Sequence, residues 1–248
     1  ATRNTAFLTE LWPVMERAIA FVVRLQDDTG AFSWAIAPAG KVWRAPLLTG
    51  SSSIHGSLVC AIRIAEHLGY DRPQWRLARA RLADVLQNNI ERFQNVDLPE
   101  QPGRYSMDWY YPVLGGAVRG DAARRRLLDR KQIRTFITEG IGCRCVSDAP
   151  WYTVAESCEL VLALDSCGLT SRARELLSWM QRYRTRDGGY WPGKTWPEDV
   201  VWPEEKNTWT AAAVLVADDA LVGRSATSDL FRSLAGEDLA RPRRAIAS

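Results

Sequence analysis

Histidine is nearly missing from this sequence: only His55 and His67 occur among 248 residues. Neither is flanked by a ligand pattern, which leaves little material for a zinc site. Long apolar runs are missing too. No stretch approaches the roughly twenty apolar residues that cross a bilayer, so no transmembrane segment is expected. No charged segment followed by an apolar one opens the sequence, so no signal peptide is expected either. An excess of one charge sign is also lacking. Lys and Arg number 32 against 29 Asp and Glu, a net charge of +3. That is too small to argue for a nucleic-acid partner, and the basic residues are scattered apart from Arg124–Arg126 and the tail Arg241–Arg244. Five cysteines, Cys60, Cys143, Cys145, Cys158 and Cys167, are an odd number, and three sit in apolar helical patterns. They read as reduced thiols of a cytoplasmic protein. Cys143 and Cys145 have no second pair to complete a tetrahedral site, and no metal or other cofactor is expected. Strand-like alternation of period two is absent.

Tryptophan, by contrast, is abundant: there are 11, beside 7 Tyr and 6 Phe. Rings of that size need pockets where they are mostly buried and their N–H is satisfied. Around them the apolar residues recur at helical spacing. Leu11, Val14, Met15, Ala18, Val22 and Leu25 form a stripe in a helix over 6–26, stopped by Asp27-Asp28-Thr29-Gly30. Ser51–Ser53 look like caps for a helix to 68, with Ile54, Leu58, Ala61, Ile62 and Ala65 on one face. Further helices are predicted over 73–93, 108–118, 121–136, 153–167, 171–183, 208–222 and, weakly, 229–234. Amphipathic helices alternate with more thoroughly apolar ones, of which 153–167 and 208–222 are the clearest.

Two concentric layers of helices produce such alternation, and the fold expected is all-α: an α/α-toroid of helical hairpins, about four of them, a plain bundle being the alternative. Residues 1–235 are expected to form one domain and 236–248 a mobile tail. A weak repeat supports the ring. A helix, Gln26, a turn at Gly30 and Phe32 with Trp34 have a counterpart in Gln181, Gly188-Gly189, Tyr190 and Trp191.

This helix–Gln–Gly–aromatic pattern resembles the repeat that fastens successive hairpins in squalene and oxidosqualene cyclases, whose toroid protein prenyltransferases share. The stretches YSMDWYYPVLGG over 105–116, RCVSDAPW over 144–151, AESCELVLALD over 155–165, VWPE over 201–204 and TWTAAA over 208–213 resemble actinobacterial proteins labelled prenyltransferase. The resemblance implies a six-hairpin barrel, of which this chain holds part. It also implies about two further hairpins upstream, roughly 80–100 residues at ordinary helix length. The chain departs from these relatives in having neither the cyclase Asp-x-Asp-Asp motif nor an Asp, Cys and His zinc set. The opening FLTELWPVMERA over 7–18 resembles a second group, the six-hairpin glycosidases.

Aromatic and acidic residues gather at the starts of the presumed inner helices, where a ring places its central cavity. His55; Asp108, Trp109, Tyr110 and Tyr111; Arg144, Asp148, Trp151, Tyr152 and Glu156; and Trp202, Glu204 and Trp209 are the candidates. Asp108, Glu156 and Glu204 are expected to be catalytic and the others substrate-binding. Aromatic faces suit carbocations, so the first expectation is a prenyltransferase-like or cyclase-like enzyme for an isoprenoid. The alternative is a carbohydrate-processing enzyme, in which aromatic platforms stack on sugars and Asp108, Asp148, Glu156 or Glu204 supply paired carboxylates. A non-catalytic ligand-binding toroid is the third reading. Structural roles compete at each position. Asp108 and Asp148 can cap helices, Glu204 can be a solvated loop residue, and Arg144 can simply pair with a buried Glu156. An incomplete ring would expose a hairpin face to a second copy or a partner chain.

Overall fold

The computed structural model describes residues 4–38, 40–43, 45–93 and 103–236. The expected mobile tail over 236–248 falls outside them but for its first residue. The chain opens with α1 (Thr5–Val23), whose first turn is capped by Asn4 accepting from the Phe7 amide at 3.0 Å. A small antiparallel pair, β1 (Ala35–Ile36) and β2 (Val42–Trp43), leads to α2 (Leu48–His67). The helix α3 (Pro73–Asn88) has proline at its first position, where no amide donor is needed, and buries Trp75, Ala78, Leu82, Val85 and Leu86. A 3₁₀ turn, Ile90–Phe93, ends that hairpin.

The second half holds α4 (Met107–Leu114), α5 (Gly120–Leu127) and α6 (Arg130–Phe136). A four-stranded antiparallel sheet follows, with β3 (Ile137–Thr138), β4 (Gly142–Arg144), β5 (Trp151–Thr153) and β6 (Gly193–Thr195) in that order. Between β5 and β6 lie α7 (Val154–Ser166), α8 (Thr170–Trp179) and the 3₁₀ turn Met180–Tyr183. Finally come α9 (Thr208–Val222), capped by Asn207, and the short α10 (Leu230–Ala235).

α2 packs on α4, α4 on α7 and α7 on α9, while α3 backs α2 and α8 backs α7 and α9. α7 is the centre of the larger core, which gathers Tyr110, Phe136, Leu160, Val161, Leu176, Met180 and Ala217 around it. A second core joins α1, α2 and α3 through Trp12, Leu58, Ile62, Trp75 and Leu82.

The chain is mostly helical rather than all-α. The strands replace what read as loop, because each is two or three residues long, too short to show an alternation. Ser51–Ser53 do not cap α2. They lie within it, and Ser52 returns its hydroxyl to the Leu48 carbonyl at 2.7 Å. The arginine-rich helix over 121–136 is two helices, divided where Asp129 accepts from the Lys131 and Gln132 amides. α9, expected as another apolar helix, leaves Trp209, Leu215, Val216 and Val222 exposed.

Candidate active site

A cavity of about 630 Å³ lies between α1, α2, α4, α7, α9 and α10. Its wall is largely apolar: Met15 and Ile19, Ile64, Leu114, Leu162, Val216, and Leu230 with Phe231 from α10. Among the described lining residues one carboxylate occurs, Glu159. The local reason is visible along α7, which is buried at every position except Glu159. α7, the most enclosed helix among the described residues, therefore meets the cavity through Glu159 and Leu162, and of the two only Glu159 is ionisable.

Two phenols hold it. The Tyr110 hydroxyl donates to Glu159 Oε2 at 3.0 Å and the Tyr111 hydroxyl to Oε1 at 2.9 Å. Both come from α4, where Tyr110 is fully buried and Tyr111 reaches the cavity. Burial raises the Glu159 carboxyl to about 7, against the two tyrosine hydrogen bonds, which lower it. The charge of Glu156, one turn earlier on α7, adds to the rise. The same surroundings push both tyrosine hydroxyls upward, first by burial and then by the neighbouring carboxylate, so they remain donors at neutral pH.

Of the carboxylates expected to be catalytic, none lines this cavity. Asp108 belongs to a separate cavity of about 590 Å³, beside Trp109, Arg125 and Arg126, and accepts from the Gly103 amide at 3.1 Å. Glu204 is exposed in the segment before α9. Glu156 is buried, as expected, but its neighbour is the Cys145 thiol at 3.4 Å. Arg144, the anticipated partner, instead donates to the Ser147 carbonyl at 3.2 Å and the Tyr152 hydroxyl at 2.9 Å. Burial, then the charge of Glu156, pushes the Cys145 thiol up to about 12, so it stays protonated.

The expected binding residues divide in the same way. Tyr111 and Trp209 line the central cavity. His55 is buried against the Gly115 carbonyl at 2.8 Å, and burial lowers it to about 4, which keeps it neutral. Trp109 donates its indole N–H to the Arg126 carbonyl and stacks on Phe136, a packing role. Tyr152 is buried, with its hydroxyl shared with Thr138 and Arg144. Asp148 is an exposed partner of Arg104, whose hydrogen bond lowers its carboxyl. Trp151 and Trp202 meet edge to face at the sheet. Glu159 itself is not among the residues the sequence pattern favours, which are represented on α7 by Glu156. The available signal was two carboxylates three apart on an apolar helix, and the choice between them depends on which face meets the cavity.

No family model matches the chain. Over 240 residues it is 42% identical to the MMP endo-(1,4)-3-O-methyl-alpha-D-mannosidase of Mycolicibacterium hassiacum. That relative is a mannosidase. The match takes in 97% of this chain and 64% of the relative, so the chain spans under two thirds of the relative's length.

This similarity overturns the resemblance to prenyltransferase-labelled proteins and squalene cyclases, and with it the isoprenoid reading. The helix–Gln–turn–aromatic repeat behind part of that resemblance reports packing rather than chemistry. The first Gln does fasten the fold: Gln26 donates to the Gly30 carbonyl at 3.0 Å and to the Ala78 carbonyl of α3 at 2.8 Å. Such a tie serves any stack of helical hairpins. The carbohydrate-processing alternative is the one the relative supports. Among the described residues no helix is long and apolar enough to cross a membrane.

Proposed function

We propose that this chain forms the acid-bearing part of a glycoside hydrolase, with Glu159 as the general acid. The supporting observation is a carboxyl, the one such group among the described lining residues of an apolar cavity, raised to about 7 and aimed by two tyrosine hydroxyls. A carboxyl so placed keeps its proton near neutrality and can pass it to a glycosidic oxygen as the C–O bond breaks. Glu156 acts through Glu159, its nearby negative charge favouring the protonated form. Hydrolysis also requires a second carboxylate to activate water or attack the anomeric carbon. In this reading it approaches from outside the described lining of the cavity, across the sugar from Glu159. The successive contacts α2–α4–α7–α9 are read as an arc of an α/α-toroid, with the cavity on its inner side.

The substrate class is an α-linked mannan carrying O-methyl groups, by similarity to the mannosidase. The wall suits it, since Met15, Ile19, Leu114 and Leu162 offer apolar contact for methyl ethers while Ser53 and Ser57 offer hydroxyls. The test is incubation with α-(1,4)-linked 3-O-methylmannose oligosaccharides and analysis of the products. Glu159→Gln is expected to lower kcat about 10³-fold with little change in binding. Activity of the unaltered protein is expected to fall as the pH rises through about 7, where the acid loses its proton. Full activity in Glu159→Gln would remove the assignment.

A further inference from the structure

Outside the cavity, a rigidly mounted group of indoles stands at the N-terminal ends of α7 and α9. Trp202 leaves 59% of its surface exposed, yet its backbone is tied on both sides. Its amide donates to the Gly193 carbonyl at 3.2 Å, and its carbonyl accepts the Trp151 indole N–H at 2.9 Å. The two rings meet edge to face with centroids 5.1 Å apart. The loop leading to Trp202 is pinned as well. Asp199 pairs with both Lys194 and Arg182, and the Arg182 guanidinium lies over Trp196, whose amide donates to the Pro150 carbonyl. Gly193 makes the arrangement possible: a Cβ there would come within 2.8 Å of the Trp151 indole nitrogen.

An open indole face on so fixed a mount contributes little to folding, because that face stays in water. It offers a ligand a large amphipathic surface at low entropy cost. Its place in the fold says which ligand. β5, which carries Trp151, runs without a break into α7, which carries Glu159. On the other side, the segment after Trp202 leads into α9, where Trp209 lines the central cavity. We infer that Trp151 and Trp202 form a sugar-stacking platform that holds the part of a glycan chain remote from the bond being cut. The inference rests on the glycosidase reading and extends it. The platform recognises the apolar C–H face of pyranose rings, with O-methyl groups adding contact area.

The test compares short and long α-(1,4)-linked 3-O-methylmannose oligosaccharides as substrates, and long ones as ligands in calorimetry. Trp202→Ala is expected to raise KM about tenfold on long chains, leaving kcat and all short-chain kinetics unchanged. Trp202→Phe should restore most of the loss, and far-UV circular dichroism with an unchanged thermal midpoint should show an intact fold. Unchanged long-chain KM and affinity in Trp202→Ala would overturn the platform. So would an equal loss on short chains, which would put the ring beside the acid. Loss of self-association with glycan binding intact would overturn it too, by making the face a protein contact. If the unaltered protein cleaves nothing but binds long chains through Trp202, the glycosidase reading falls and the platform stands.

Discussion

Glu159 is held by groups that oppose each other, and the balance is testable one hydroxyl at a time. Burial and the charge of Glu156 favour its neutral form, while the phenols of Tyr110 and Tyr111 favour the carboxylate by donating to it. In Tyr111→Phe the donor at Oε1 is gone and the carboxyl rises further. A raised carboxyl keeps its proton to higher pH, so the alkaline limb of the kcat/KM profile is expected to move up from about 7. A profile that stays in place would show that Tyr111 does not tune the acid. Stability has the same sign. The folded-state value lies above the unfolded one, so the contribution of Glu159 is full at acid pH and is lost as the pH rises through about 7. At this scale the sequence was a partial guide. It singled out Tyr110 and Tyr111, and it put Glu156 forward as a carboxylate on an apolar helix. It could not tell which of Glu156 and Glu159 meets open space.

Between elements, α2 closely approaches the end of α4. A Cβ on Gly115 would lie 2.1 Å from the Ser52 carbonyl oxygen, while the Gly115 carbonyl meets the buried His55 ring. Neither backbone can yield without moving a helix, so Gly115→Ala is expected to cost about 2 kcal/mol, read from urea denaturation. An unchanged midpoint would mean that the crossing is looser than described. The helices were legible where an apolar pattern lies within one element, as a stripe in α3 and nearly all round in α7. Their interruptions were less so. Asp129 reads equally well inside a charged helix face or as a cap, and tertiary packing chose the cap. The strands β4 and β5 gain their identity from each other and from β6, through partners such as Tyr152 with Arg144 and Lys194. Pairing of that kind leaves no mark within three residues.

The whole arrangement depends on α10, a short helix that closes one side of the cavity with Leu230, Phe231 and Leu234. It is fastened to α7 by Arg232 and Asp165, an ion pair with side chains 9% and 2% exposed. Removing the cation leaves a buried carboxylate with, among the described residues, the Thr170 hydroxyl, so Arg232→Met is expected to cost about 3 kcal/mol in thermal or chemical unfolding. A loss below about 1 kcal/mol would indicate that α10 is dispensable to the fold. The amphipathic stripes, several helix stops and the aromatic clustering follow from the sequence by itself, because each is set by neighbours within a turn or two. Which carboxyl is raised toward neutrality was decided only by tertiary structure. Burial, hydrogen-bond donors and a neighbouring charge reach Glu159 from α4, α7 and the cavity together, and no local pattern encodes their meeting.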